Sequence, residues 1–215
     1  MNTKLNVPFY ENAENWKQCL QVVMKTALKY FLNKEFSLEK LDELTWRKDE
    51  FRTWTHQWVV VLDELGLNVK YFSRTNDLEK YLAGEAYIRE KYWNEASELL
   101  EKIDLEFLVV FLQKLLNKNL FEAKKLTIEE IENFILDWNI VIAAVNNNKI
   151  YQRGEQYAGH FIVITWFDDE NIYYHESGPW AMKWPDRKVS KKIFLQASVD
   201  DDWADGDFII VYWKK

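Results

Sequence analysis

The chain has 215 residues, 48% of them apolar and 29% charged, and a net charge of −7. That is enough for one substantial core, or one core with a large insertion, but it lacks the concentrated Lys and Arg that nucleic-acid binding needs. A single cysteine excludes an internal disulfide framework and a thiolate-rich zinc site.

The opening stretch MNTKLNVPFYENAENW has no apolar signal core, and no apolar run approaches the ~18 residues of a membrane span. A soluble cytoplasmic protein with no membrane contact is the expectation. Asn15 and Gln18 have the spacing of a helix N-cap and its N3 partner. Leu20, Val23, Met24, Ala27, Leu28 and Phe31 then recur at the period of one buried helical face, so a helix starts just before Cys19. A short helix follows Ser37. Another covers Trp54 to Leu65 and stops at Gly66. Asn68 to Phe72 reads as a short strand. Asp77 opens a helix that ends near Gly84, and residues 87–102 and 105–117 give two more. In the second, Leu105, Leu108, Val109, Leu112, Leu115 and Leu116 share one side. Thr127 and Glu130 form a capping box for a helix that runs to about Trp138.

Strands follow. Ile140 to Val145 ends in the turn signal Asn146-Asn147-Asn148. Phe161 to Phe167 and Ile172 to Glu176 flank Asp168-Asp169-Glu170-Asn171 as a hairpin, and Phe208 to Trp213 is a last strand. The basic run from Lys183 to Lys192 reads as a solvated loop and strand edge. Helices first and an antiparallel sheet afterwards describe an α+β chain. There is no linker and no repeat, so a single domain spans 1–215, with a helical lid or insertion at about 73–125. The eleven Trp and eleven Tyr fall mainly at core-like spacing, which favours packing over an aromatic-lined groove.

One constellation suggests chemistry. Cys19 lies in the first turn of its helix, where unpaired backbone N–H groups and the helix dipole favour a thiolate. It sits at the margin of the apolar stripe, where it can face a groove. Of three histidines, His56 is placed inside a helix as a half-buried packing residue. His160 follows Gly159 at the mouth of a strand, where an imidazole projects from a rigid edge. Glu176 is the candidate to orient it. The midpoint of 160 and 176 is 168, whereas the turn signal centres between 169 and 170. A bulge or a longer loop absorbs that offset; a one-residue change puts His175 on the face of His160 instead.

These residues resemble the C39-like cysteine peptidase family, a branch of the papain-like fold. The match begins at VPFYEN (Val7 to Asn12) and continues through Cys19 and the helix ending KYF. It takes in Leu44 to Val69, Leu126 to Asn146 and Gly159 to Pro179. The resemblance implies a papain-like domain whose N-terminal helix carries the nucleophile and packs on the C-terminal sheet. It implies Cys19 as nucleophile, His160 as base and Glu176 as orienter, at the family's sixteen-residue spacing from histidine to acid. No cofactor or metal is implied. The family has Asp at the acid position and Gly after the cysteine; here stand Glu176 and Leu20. Its oxyanion-hole Gln sits six residues before the cysteine, where this chain has Ala13; alignment on VPFY offers Asn12, and Gln18 is the alternative. Losing one oxyanion donor costs ~10²–10³ in rate. Two readings follow: a cysteine hydrolase acting on a peptide or amide, or a degenerate module that binds a peptide or protein partner. Oligomeric state leaves no mark in the sequence.

Overall fold

In the computed structural model, residues 4–12, 17–47, 54–154, 156–178, 184–199 and 206–213 are described. The apolar spacing from Leu20 onward produces helix α1 (Cys19–Leu32), with Leu20, Val23, Met24, Ala27 and Leu28 buried. It ends at Asn33, which turns left-handed (φ 50°) and returns its N–H to the Leu28 and Lys29 carbonyls. The N-terminus differs from the expected capping box. Gln18 is itself the N-cap residue and makes no side-chain capping bond, because its amide is drawn to Asp42 instead. Asn15 lies outside the described residues.

Ser37 caps α2 (Leu38–Leu44), accepting the Lys40 N–H. Helix α3 (Thr55–Glu64) falls within one residue of expectation at each end. The expected helix after Asp77 is a 3-10 turn, Leu78–Ala83. The expected helix over 87–102 is split into α4 (Glu85–Tyr92) and α5 (Ala96–Glu101). The backbone turns left-handed at Trp93 (φ 41°), which a continuous helix does not allow. Helix α6 (Leu105–Asn117) has the expected bounds, but Phe111 joins its buried face and Val109 does not. The face is set by packing against α3. Thr127 and Glu130 form the expected capping box of α7 (Ile128–Leu136): Thr127 Oγ1 accepts the Glu130 N–H at 3.2 Å, and Glu130 Oε2 accepts the Thr127 N–H at 2.9 Å.

Seven strands among the described residues form one sheet: β1 (Asn68–Ser73), β2 (Phe121–Ala123), β3 (Ile140–Asn146), β4 (Gly159–Phe167), β5 (Asn171–Glu176), β6 (Trp184–Ser190) and β7 (Phe208–Tyr212). Their order is β2-β1-β7-β3-β4-β5-β6. Every neighbouring pair is antiparallel except β1–β2. The architecture is the expected α+β one, with α1 packed against β4. The sheet is not confined to the C-terminal third, however. Strand β7 inserts between β1 and β3, so the middle of the chain supplies two strands.

Two further elements were not anticipated. The Asn146-Asn147-Asn148 signal opens a short helix, α8 (Asn147–Ile150), because the Asn146 side chain accepts the Asn148 N–H at 3.1 Å. After the edge strand β6, Ser190 caps α9 (Lys191–Ala197). Phe194 of α9 meets Phe208, and Phe134 of α7 meets Phe72 and Tyr212; these three sheet residues share one face. Packing accounts for Trp58 and Tyr174, both fully buried, but not for Trp46, Trp93, Trp138, Trp184 and Trp213, which are about half exposed or more. Among the described residues no helix is long and apolar enough to cross a membrane.

Candidate active site

A histidine and an acid on paired strands meet only if they fall on the same face. Near the turn, Phe167 pairs with Ile172 and Trp166 with Tyr173; further out, Ile164 pairs with Tyr174 and Val163 with His175. The extra residue on β4 is Thr165, and it forms a bulge. Continued without it, the register near the turn would set Ile164 against His175 and turn His175 to the face of His160. With it, Glu176 takes that face, and His160 Nε2 donates to Glu176 Oε1 at 2.7 Å. The bulge is pinned on both sides. The Thr165 carbonyl accepts the Leu5 N–H at 3.2 Å, and its hydroxyl donates to Asp186 Oδ1 at 3.0 Å.

His175 therefore belongs to the framework. Its Nε2 donates to the Val7 carbonyl at 2.9 Å, and Nδ1 accepts the Asp186 N–H at 3.3 Å. Its ring stands edge-on to Phe9 at 5.4 Å. Burial holds its pKa down, so it remains neutral and fastens the VPF segment to β5. Further along that segment, the Asn12 N–H reaches the Ser177 carbonyl at 3.2 Å, which sets Asn12 beside the end of β5. Ala13 lies outside the described residues.

The tip of α1 is held from the other side. Asp42 of α2 accepts from Gln18 Nε2 and Gln21 Nε2, both at 2.6 Å, and pairs with Arg47 at 2.9 Å. Cys19, the first residue of α1, stays partly exposed. Its thiol lies beside the His160 ring, and that ring together with the backbone N–H groups of Phe161 and Leu20 favours its ionised form. Glu176 holds Nε2 of that ring, which leaves Nδ1 for the sulfur. The Leu20 side chain points away into the core.

Electrostatics binds the three groups into one titrating unit. Glu176 is fully buried, which pushes its pKa up. His160, Tyr151 and the Gly178 N–H together outweigh that, so the carboxyl stays ionised. Burial alone would also keep His160 neutral, but Cys19 and Glu176 raise it to about 10. Burial pushes the Cys19 thiol up; His160 and the two backbone donors pull it below its ordinary value. The arrangement favours thiolate, imidazolium and carboxylate in series.

His56 stands apart in α3. It is more deeply buried than expected, at 2% exposure, and burial lowers its pKa to about 4. Three features were not visible in the sequence. Tyr151, just past α8, donates its hydroxyl to Glu176 Oε2 at 2.9 Å. Gly178 donates its N–H to Oε1 at 2.7 Å. Asp42 organises the start of α1. Only the Gly-Pro pair that closes the hairpin hinted at the second.

No family model matches the chain, and no curated protein matches it significantly. Solved structures do. One is the peptidase domain of Streptococcus ComA, a bifunctional ABC transporter of a quorum-sensing pathway (13% identity, 98% of each chain, TM-score 0.50). Another is a double-glycine-motif protease from an AMS/PCAT transporter, in complex with a leader peptide (12% identity, 97% of this chain and 94% of that one, TM-score 0.50). A third is a candidate C39-like peptidase from Bacillus anthracis (13% identity, 100% of both chains, TM-score 0.50). Likeness at this identity is likeness of fold. The chain has the α+β, papain-like fold of C39 peptidase domains, and the resemblance read from Val7 to Asn12, Cys19 and Gly159 to Pro179 fits it as a divergent one.

Proposed function

We propose that this protein is a cysteine hydrolase that cleaves a peptide or amide bond. The observation that carries the reading is the buried 2.7 Å hydrogen bond between the His160 imidazole and the Glu176 carboxylate, with the Cys19 thiol beside the same ring. The Cys19 thiolate attacks the carbonyl carbon, and the electron pair moves to oxygen. The Cys19 backbone N–H, at the tip of α1, and the side-chain amide of Asn12, whose backbone is tied to Ser177, are the proposed donors to that oxyanion. Gln18 suits the role less, since its amide already serves Asp42. The His160 imidazolium gives its proton to the leaving nitrogen, the C–N bond breaks and a thioester remains. Water attacks the thioester, passing its proton to His160, and the acid leaves as the thiolate returns. Glu176 stays ionised and holds the ring. A peptide substrate is supported by the neighbour of like fold that holds a leader peptide. We treat 1–215 as one papain-like unit in which about 73–125 is a helical elaboration over the core; the shared packing of α3 against β1 and α6 supports that.

Cys19→Ala tests the reading. It should abolish hydrolysis of a peptide library and leave melting unchanged. Iodoacetamide should label Cys19 of the wild type at pH 6–7 faster than a thiol of ordinary pKa, about 8.5. The displacement of the oxyanion position from Gln to Asn12 favours a second reading, a degenerate module that holds a peptide. Slow, ordinary alkylation together with peptide capture by Cys19→Ala would select it and remove the first.

A further inference from the structure

A glutamate has one more rotatable bond than the aspartate of related folds, and so needs more to hold it. Its Oε1 is saturated: His160 Nε2 and the Gly178 N–H both reach it at 2.7 Å. Its Oε2 is fully buried with the rest of the side chain, and Tyr151 donates to it at 2.9 Å. We propose that Tyr151 is the positioning residue of this site, fixing Glu176 and through it the ionisation of His160 and Cys19. The inference rests on the Cys–His–Glu reading above.

The fold ties Tyr151 to His160 through a single asparagine. Asn146 Oδ1 accepts the Asn148 N–H at 3.1 Å, opening α8, and the Ala158 N–H at 3.2 Å, at the entry to β4. Asn146 is itself paired with Gly159, the residue before His160. Tyr151 N–H closes α8 onto the Asn147 carbonyl at 3.1 Å. The phenol and the imidazole thus hang from the same corner of the sheet. Two guanidinium groups, Arg153 and Arg187, stand over the Tyr151 ring, each 5.1 Å from its centroid. Burial and the neighbouring carboxylate hold the phenol well above its ordinary pKa, so it remains a donor throughout the working range.

The charged and titratable groups around Glu176 come from several elements: His160 on β4, Cys19 beyond it on α1, Tyr151 past α8, Tyr174 on β5 and Arg187 on β6. Of these, Tyr151 serves Oε2 directly. Deleting its hydroxyl leaves a buried carboxylate oxygen without that donor, and the carboxyl then takes a proton at higher pH. His160 loses its counter-charge and the thiolate is lost at higher pH.

The test is the pH profile of Cys19 alkylation by iodoacetamide, in wild type, Tyr151→Phe, Glu176→Gln and the double variant. Tyr151→Phe keeps the ring that both arginines pack against. Its acid midpoint should rise by about one unit, so that below both midpoints the rate falls about ten-fold. 3-Fluorotyrosine at position 151, a stronger donor of nearly the same shape, should move the midpoint down, and it serves as the probe should the Phe variant not fold. The double variant should track Glu176→Gln, since Tyr151 acts only through the carboxylate. A depressed wild-type midpoint that neither substitution moves refutes the inference alone. So does a Tyr151→Phe effect that persists in full on the Glu176→Gln background. An ordinary wild-type midpoint refutes the catalytic reading and this inference with it.

Discussion

Gly178→Ala probes the carboxylate without replacing any titrating group. Gly178 does not occupy the left-handed region, so its backbone accepts alanine without strain. What does not accept it is Glu176. The new Cβ would collide with Oε1 and lie 3.2 Å from Cδ and 3.7 Å from His160 Nε2. The backbone has little room to yield, because the Ser177 carbonyl beside it holds the Asn12 N–H at 3.2 Å. The carboxylate has to swing, which breaks its bonds to His160 and to the Gly178 N–H. Hydrogen bonds to a charged group contribute about 1.5–3 kcal/mol each, and disrupting a buried pair costs about 3–5 kcal/mol. With part of the loss recovered by relaxation, a destabilisation of about 3 kcal/mol is expected, or roughly 6–12 °C in Tm for a chain of this size. Thermal unfolding at pH 7 measures it. The same substitution on a Glu176→Ala background should cost less than ~0.5 kcal/mol, since nothing remains to collide with. A Tm within about 2 °C of wild type, or an equal loss on both backgrounds, would refute the placement of Gly178 against the carboxylate.

Glu176→Asp installs the acid of the resembled family, yet should impair this site. The carboxylate retreats by about one C–C bond, ~1.5 Å, which takes it out of reach of His160. Hydrolysis should fall about 10–100-fold, and the Cys19 alkylation midpoint should rise by about one unit; unchanged values would show that length is immaterial here. His56 governs acid stability. Its folded pKa of about 4 lies below the unfolded value near 6.5, so the unfolded state binds more protons between them and stability falls as pH drops through that window. The loss amounts to about 3 kcal/mol. His160, raised to about 10, stays protonated in the folded state throughout, so it opposes this slope near pH 6.5 and adds none once the unfolded histidine is protonated too; the comparison with His56→Met cancels it. Urea unfolding of His56→Met from pH 7 to 4 should be correspondingly flatter than wild type; parallel curves would remove His56 as the cause.

Local signals in the sequence were strong wherever a motif stays within one element. The Thr127–Glu130 capping box and the bounds of α6 needed only caps and periodicity, and the Cys19 helix needed periodicity alone. What stayed hidden depends on distant partners. Strand β2 is too short for a period and exists because β1 offers it an edge. The break at Trp93 follows from tertiary ties: Asp77 accepts from Tyr87 and Lys91 and holds α4 back against the preceding turn. Asp42 organises the start of α1 from 21 and 24 residues away, a separation over which no local pattern points to it. His160 and Glu176 were legible as a spacing, but their meeting turned on the Thr165 bulge, which nothing around Thr165 announces.

The bulge, the glycine and the tyrosine form a compensated set. An acid on β5 that is to hold His160, and a longer one than aspartate, meets three conditions. The hairpin must shift parity so that residue 176 rather than 175 faces the histidine, and Thr165 supplies the shift. The extra length must have somewhere to lie, and Gly178 leaves that space empty. The second oxygen then lies deep inside the protein, where it needs a donor, and Tyr151 provides one. Each condition comes from a different segment, and the three converge on the Glu176 carboxylate facing His160. That interdependence supports the proposed role of Glu176 as the acid that orients His160, in spite of the departure from aspartate.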